Sequence, residues 1–166
     1  MQLSLASARA IALDAQGFGA DKSTRPKTAS DVLDRLGLLQ IDTVSVFERA
    51  HYMPVFSRIG SFDKSEIEGG LAAGLAEYWA HEASIIRVKN LPLFRFRMDY
   101  YRDKWSKADS HWMQDNAEFL KWLRDEIATR GPLTTKQIEH DRGKRKGTWW
   151  AWSDVKLGLE YQFYQG

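Results

Sequence analysis

A chain of 166 residues is long enough to bury a substantial core, and with no cysteine it excludes disulfides and thiolate metal sites. No apolar run is long enough to suggest a membrane span, and no charged-then-apolar amino terminus marks a signal peptide, so a cytoplasmic setting is the expectation. The formal net charge of +2 points to no particular partner, but the distribution of charge is uneven.

In chain order, residues 3–16 place apolar side chains at helical spacing, with Gly17 as the stop. Residues 19–27 read as a loop. A short helix over 30–36 follows, with Ser30 as candidate N-cap and Gly37 just past its end. An extended segment over 38–42 leads into a longer helix from about Val44 to Ser57, interrupted near Pro54. Residues 64–75 read as another short helix capped by Asp63, 76–88 as a hairpin, and 92–105 as an amphipathic helix. Phe119, Leu120, Leu123, Ile127 and Ala128 form an apolar helical stripe ending at Gly131-Pro132. A short helix over 133–138, capped by Thr134 or Thr135, comes next. After a basic, Gly-bounded loop, Ser153 caps a last helix through Phe163.

These elements predict a mainly α protein with small β-hairpins (α+β), built from helix-turn-helix units of the winged-helix kind. The division expected is 1–108 for a first unit and 109–166 for the start of a second. Gly166 falls where the wing of that second unit would begin, so the chain reads as the N-terminal portion of a longer protein.

Within Leu38-Leu39-Gln40-Ile41-Asp42-Thr43 an amide and a carboxylate lie two residues apart. In an extended segment Gln40 and Asp42 project together, while Leu39 and Ile41 go to the core. Such a pair at a helix entrance can hold and activate a water. Equally, Asp42 or Thr43 can be the cap of the helix expected at Val44, and the residues leave both readings open.

Basic side chains cluster twice. Residues 83–98 carry Arg87, Lys89, Arg95 and Arg97 with no acidic residue, and Arg142, Lys144, Arg145 and Lys146 form a second group. Clusters of this size neutralise phosphates even on a nearly neutral protein, although charge runs are often only a solvated face. Of the seven tryptophans, most are expected in the core, with a minority available to stack on bases or wedge a duplex.

Four segments taken together carry a resemblance: Gln40-Ile41-Asp42-Thr43-Val44, then 49–58 with Arg49-Ala50-His51, then Glu77-Tyr78-Trp79-Ala80-His81-Glu82-Ala83-Ser84, then Trp149-Trp150-Ala151-Trp152-Ser153-Asp154-Val155-Lys156. In this order they resemble the bacterial winged-helix DNA glycosylases of the YcaQ (AlkX) and AlkZ group, over almost the whole chain. The resemblance implies tandem winged-helix units followed by a β-rich C-terminal part beyond Gly166. It implies excision of N-alkylated purines and unhooking of interstrand crosslinks, with double-stranded DNA as partner and much of the DNA grip beyond this chain. The family signature is Gln, an apolar residue, then Gln or Asp, so Gln40 and Asp42 are the catalytic residues implied.

The chemistry suits those residues. A purine alkylated at N7 or N3 leaves as a neutral base with little need for an acid, and positive charge develops on the sugar. Asp42 can stabilise that charge and polarise the attacking water, while Gln40 orients it. Expected DNA contacts are Arg49, His51, Arg58, His81, Arg87 and Lys89 in the first unit and Lys144, Arg145 and Lys146 in the second. Each histidine can alternatively be a packed, hydrogen-bonded core residue. Glu48 and Glu82 are reserve carboxylates that nothing in their spacing favours. No lysine adjoins Gln40 or Asp42 in sequence, so hydrolysis by water without a lyase step is expected, with no metal, no cofactor, no membrane and no obligate protein partner. The competing reading is a non-catalytic winged-helix DNA-binding protein such as a transcription regulator, and a bare protein-interaction module is a third.

Overall fold

The computed structural model describes residues 2–42, 45–108, 110–138 and 153–166. The chain divides into two compact units, Met1–Phe94 and Arg95–Gly166. The division falls one helix earlier than the 108/109 boundary expected from sequence, because the helix Arg95–Ala108 packs against the C-terminal helix.

The first unit is α+β. Its helices are α1 (Leu5–Ala15), α2 (Ala29–Leu36), α3 (Met53–Ile59) and α4 (Ser65–Glu68), and its strands are β1 (Leu38–Gln40), β2 (Leu75–Trp79) and β3 (Ala83–Arg87). The three strands form an antiparallel sheet in the order β1-β3-β2, so β1 lies at an edge.

Local chemistry sets these boundaries. Thr28, not Ser30, caps α2: its hydroxyl accepts from the Asp31 N–H at 3.0 Å, and the Asp31 carboxylate accepts from the Thr28 N–H at 3.0 Å. This reciprocal box satisfies two helix-end donors, which a cap at Ser30 would leave open. At the other end Gly37 sits at φ 83°, a left-handed turn that sends the chain directly into β1.

The helix expected from Val44 is replaced. Ser45 and Arg49 form a bridge, a single 3-10 turn covers Ala50–Tyr52, and α3 begins only at Met53. Pro54 thus lies in the first turn of α3, where its missing N–H costs no helical bond, and it starts the helix instead of breaking it.

Ala29, Val32 and Leu33 of α2 meet Leu39, Tyr52, Val55, Ile67 and Leu75 in one buried core. The strand register sorts the faces. Leu39 pairs with Ile85, and both turn towards this core, while Leu38 pairs with Ile86 and Gln40 with Ser84 on the opposite face. A 3-10 segment, Val88–Phe94, packs on that second face, where Tyr78 lies 6.1 Å from Phe94 between ring centroids.

The second unit is helical over its described residues: α5 (Arg95–Ala108), α6 (Ser110–Asp115), α7 (Ala117–Arg130) and α8 (Asp154–Gln165). The α7 stripe packs as the spacing predicts, with Phe119 and Leu123 against Ile138 and Val155. Ser153 caps α8 by accepting from the Lys156 N–H at 3.2 Å. Residues 133–138 make a turn in place of the short helix expected, with the Gln137 side-chain carbonyl accepting from the Thr134 N–H at 2.8 Å. Among the described residues no helix is long and apolar enough to cross a membrane.

Two stability predictions follow from these contacts. A Cβ at Gly158 would stand 2.9 Å from Leu123 Cδ2, so Gly158→Val should lower stability by about 1–3 kcal/mol in urea unfolding, whereas Thr28→Ala should cost about 1 kcal/mol. Hydrogen bonds from the Lys27 N–H to Asp31 and from Arg87 to Asp34 hold both carboxyls below their ordinary range. A depressed folded-state value means that the unfolded chain takes up protons first as pH falls. Their contribution is therefore present above the ordinary carboxylate range and is lost as pH drops through the folded values. Urea midpoints measured across that range should fall, and Asp34→Asn should make the fall shallower.

Candidate active site

The site is set by where β1 ends. Leu39 is 1% exposed and anchors the strand in the core, so its neighbour Gln40 points to the other face and stands exposed at the sheet edge. Pairing continues one residue beyond the strand, since the Ile41 N–H donates to the Ala83 carbonyl at 2.7 Å. Asp42 follows, half-buried. No described residue between Gln40 and Ala50 is helical.

That register brings the β2–β3 hairpin tip, residues 80–82, to the same end of the sheet. His81 is exposed there, and the buried Ser84 hydroxyl donates to the carbonyls of His81 at 2.9 Å and Glu82 at 3.2 Å, bracing the tip. The 3-10 turn Ala50–Tyr52 packs against β1 and carries His51 with it. Gln40, Asp42 and His81 thus lie towards one end of the sheet, and His51 rides on a turn packed against β1.

His51 is buried, its ring lies 4.1 Å from that of Tyr52, and its Nδ1 makes no hydrogen bond. Burial first, and the neighbouring Arg49 charge second, lower its pKa, so the imidazole is neutral at neutral pH. It has no charge to offer a phosphate but keeps a hydrogen-bonding atom. Arg49, at the foot of the 45–49 loop, is exposed.

The other expected contacts lie elsewhere or are already engaged. Arg87 is on the opposite face from Gln40 and three residues along β3 from Ser84, roughly 10 Å away. Its guanidinium grips both Asp34 oxygens, at 3.0 and 3.1 Å, together with Ser30. Lys89 reaches the same carboxylate at 3.4 Å. Arg58 donates to the Gln16 carbonyl at 2.6 Å and the Pro54 carbonyl at 2.7 Å, and lies 4.4 Å from the centre of the Phe18 ring. Lys144, Arg145 and Lys146, like the tryptophans at 149, 150 and 152, fall outside the described residues.

Beside the loop a cavity of about 400 Å³ is lined mainly by Phe47, Tyr52, Met53, Phe56 and Phe62. Glu48 and Lys64 pair at its edge, so that Glu48 is committed to a cation. The Tyr52 hydroxyl donates to Glu68, which pushes the phenol up to about 12 and keeps it protonated. Among the described residues no group of three or more His, Asp or Glu is placed to hold a metal ion.

Glu82 is a residue whose place in the fold the spacing does not show. It follows His81 at the hairpin tip, and only the register reveals that the tip adjoins Asp42. An alternating strand pattern on both sides of 80–82 was the available signal.

What this arrangement offers is an amide and a carboxylate at an accessible strand end, with the exposed His81 on the hairpin tip at the same end of the sheet. That set can orient water and stabilise positive charge. A family model described as DNA glycosylase AlkZ-like matches residues 33–166, a span that includes every candidate residue from Gln40 onward. No solved structure gives a significant match. With most of its length matched, the chain belongs to the AlkZ-like family of DNA glycosylases, enzymes of DNA repair.

Proposed function

We propose that this protein hydrolyses the N-glycosidic bond of N-alkylated purines in double-stranded DNA, including crosslinked ones, using water alone. The observation that carries the reading is the exposure of Gln40 at the end of an edge strand whose preceding residue is locked in the core. A buried glutamine would be structural; this one is presented. In the reaction the C1′–N bond breaks and its electron pair neutralises the cationic base. Asp42 stabilises the positive sugar and polarises the water, and Gln40 holds that water on the sugar's open face.

The first unit also supports a winged-helix mode of DNA binding. Its order of helix, strand, helix and hairpin, closed by a sheet ordered β1-β3-β2, provides a helix and a hairpin able to meet a duplex together. On this reading the second unit repeats the outline, with Lys144, Arg145 and Lys146 as its phosphate contacts.

Single-turnover release of N7-methylguanine from duplex DNA tests the chemistry. Asp42→Asn should slow it by about two to four orders of magnitude, and Gln40→Ala by about two, with DNA affinity retained. Wild-type release by a folded Asp42→Asn protein would sink the assignment. Binding measured against salt tests the contacts: Arg49→Ala should weaken binding and reduce the salt slope by about one. Arg87→Ala should instead lower the unfolding midpoint and leave that slope unchanged, because its guanidinium is held by Asp34.

A further inference from the structure

Two large apolar side chains stand in water shortly after the strand end that presents Gln40. Val46 is 81% and Phe47 96% exposed, the two most exposed large apolar residues among those described. They form the tip of a loop whose feet, Ser45 and Arg49, are bridged to each other. The bridge turns the chain back on itself and holds the tip outward. Phe47 borders the aromatic cavity, and yet its ring is not drawn in.

A tip shaped only by folding favours Asn, Asp, Gly or Ser, which suit a turn and its solvent. Single exposed apolar residues are common. Here a pair raised on a braced tip adjoins Met53 and Phe56, each about half exposed, and a contiguous apolar patch of this kind marks a contact surface.

Three features identify the contact as duplex DNA. The chain belongs to a family of DNA glycosylases, and Ser45 follows Asp42 by three residues, a span of at most about 11 Å. A duplex presented to Gln40 and Asp42 therefore lies within reach of the tip. The surround is basic as well: Arg49 at the second foot is exposed, while the carboxylate of Glu48 is neutralised by Lys64. A cation at the base of an apolar tip suits a groove, with phosphate for the one and stacked bases for the other. Size points the same way. A stable protein interface takes about 800 Å² from each partner. A base step opened from its usual spacing of about 3.4 Å admits a single ring or branched side chain.

We propose that Val46 and Phe47 are a wedge that enters the base stack beside the lesion and loosens the damaged purine from its neighbours. The inference takes from the reading of Gln40 and Asp42 only the place of the lesion, and the wedge is read by binding alone.

A duplex carrying N7-methylguanine on a 2′-fluoro sugar separates binding from chemistry, because fluorine opposes positive charge on the sugar and the bond resists cleavage. With 2-aminopurine as the neighbouring base, the parent protein should raise its fluorescence several-fold as the step unstacks. Phe47→Ala should abolish most of that rise and bind about tenfold more weakly. Its unfolding midpoint and salt slope should match the parent's, since an exposed apolar contact supports no core and releases no counterions. Phe47→Leu, still able to enter a base step, should retain most of the fluorescence rise and the affinity. On duplex with a bulged base at that step, already unstacked, the deficit of Phe47→Ala should shrink to about twofold. No rise with the parent, parent-like behaviour of Phe47→Ala, or an equal deficit on bulged DNA overturns the wedge. So does a Val46→Ala/Phe47→Ala protein that loses self-association and keeps its DNA affinity, which makes the tip a contact between copies. If Asp42→Asn releases base slowly and Phe47→Ala behaves as the parent, only the wedge falls. If Phe47 behaves as expected and Asp42→Asn keeps the parent rate, the wedge stands and the catalytic reading alone falls.

Discussion

The pairing of Leu39 with Ile85 turns both side chains towards the helices, and this one cross-strand contact determines what the edge of the sheet presents. Side chains alternate along a strand with a period of two, so a slip of one residue would send Gln40 inward and Leu39 to solvent. Burial opposes that slip directly. Leu39 is almost fully enclosed among α2, α3 and β2, and removing such a side chain from its site costs about 2–5 kcal/mol. The exposure of Gln40, the continued pairing at Ile41 and the arrival of the hairpin tip beside Asp42 all follow from this register.

Arginine in this protein illustrates why cations counted in a sequence are poor predictors of a nucleic-acid surface. Arg58 bridges the end of α1 to α3 through the Gln16 and Pro54 carbonyls, and Arg87 ties β3 to α2 through Asp34 and Ser30. In both, several donors of one guanidinium are satisfied at once by backbone oxygens or by a carboxylate, which is how a planar five-donor group is best used. Arg49 differs from them by position alone: it follows a short bridged loop and faces solvent. The number of basic residues was legible in the sequence, but their separation into struts and free cations depends on contacts between positions more than forty residues apart, as between Arg58 and Gln16.

Much of the first unit was nonetheless readable, because its signals are local. Gly37 as the end of α2, the alternating hairpin and the placement of Leu39 inside with Gln40 outside each depend on a few adjacent residues. The failures share a cause. Ser30 and Thr28 are both good caps, and the choice went to Thr28 because Asp31 stands three residues after it and completes the reciprocal pair. The apolar run over residues 44–47 suggests a helix, but Val46 and Phe47 are 81% and 96% exposed on a bridged loop, and Pro54 lies in the first turn of the helix that does form. The neighbourhood of Glu82 is made by pairing between strands, which no count along the chain displays.

Local preference and the observed structure part company at two places in the first unit. Elsewhere in the first unit local preference and tertiary packing agree: glycine occupies the left-handed turn at Gly37, proline the first turn of α3, and Thr28 and Asp31 a reciprocal cap. At the hairpin tip and in the turn Ala50–Tyr52 they disagree. Glu82 at the hairpin tip takes a conformation suited to glycine, and the buried His51 keeps a ring nitrogen without a hydrogen bond. Each departure is unfavourable alone, and none is explained by packing. Departures from local consistency of this kind are where a protein keeps residues that folding alone would replace, and they belong with the reading proposed for Gln40 and Asp42.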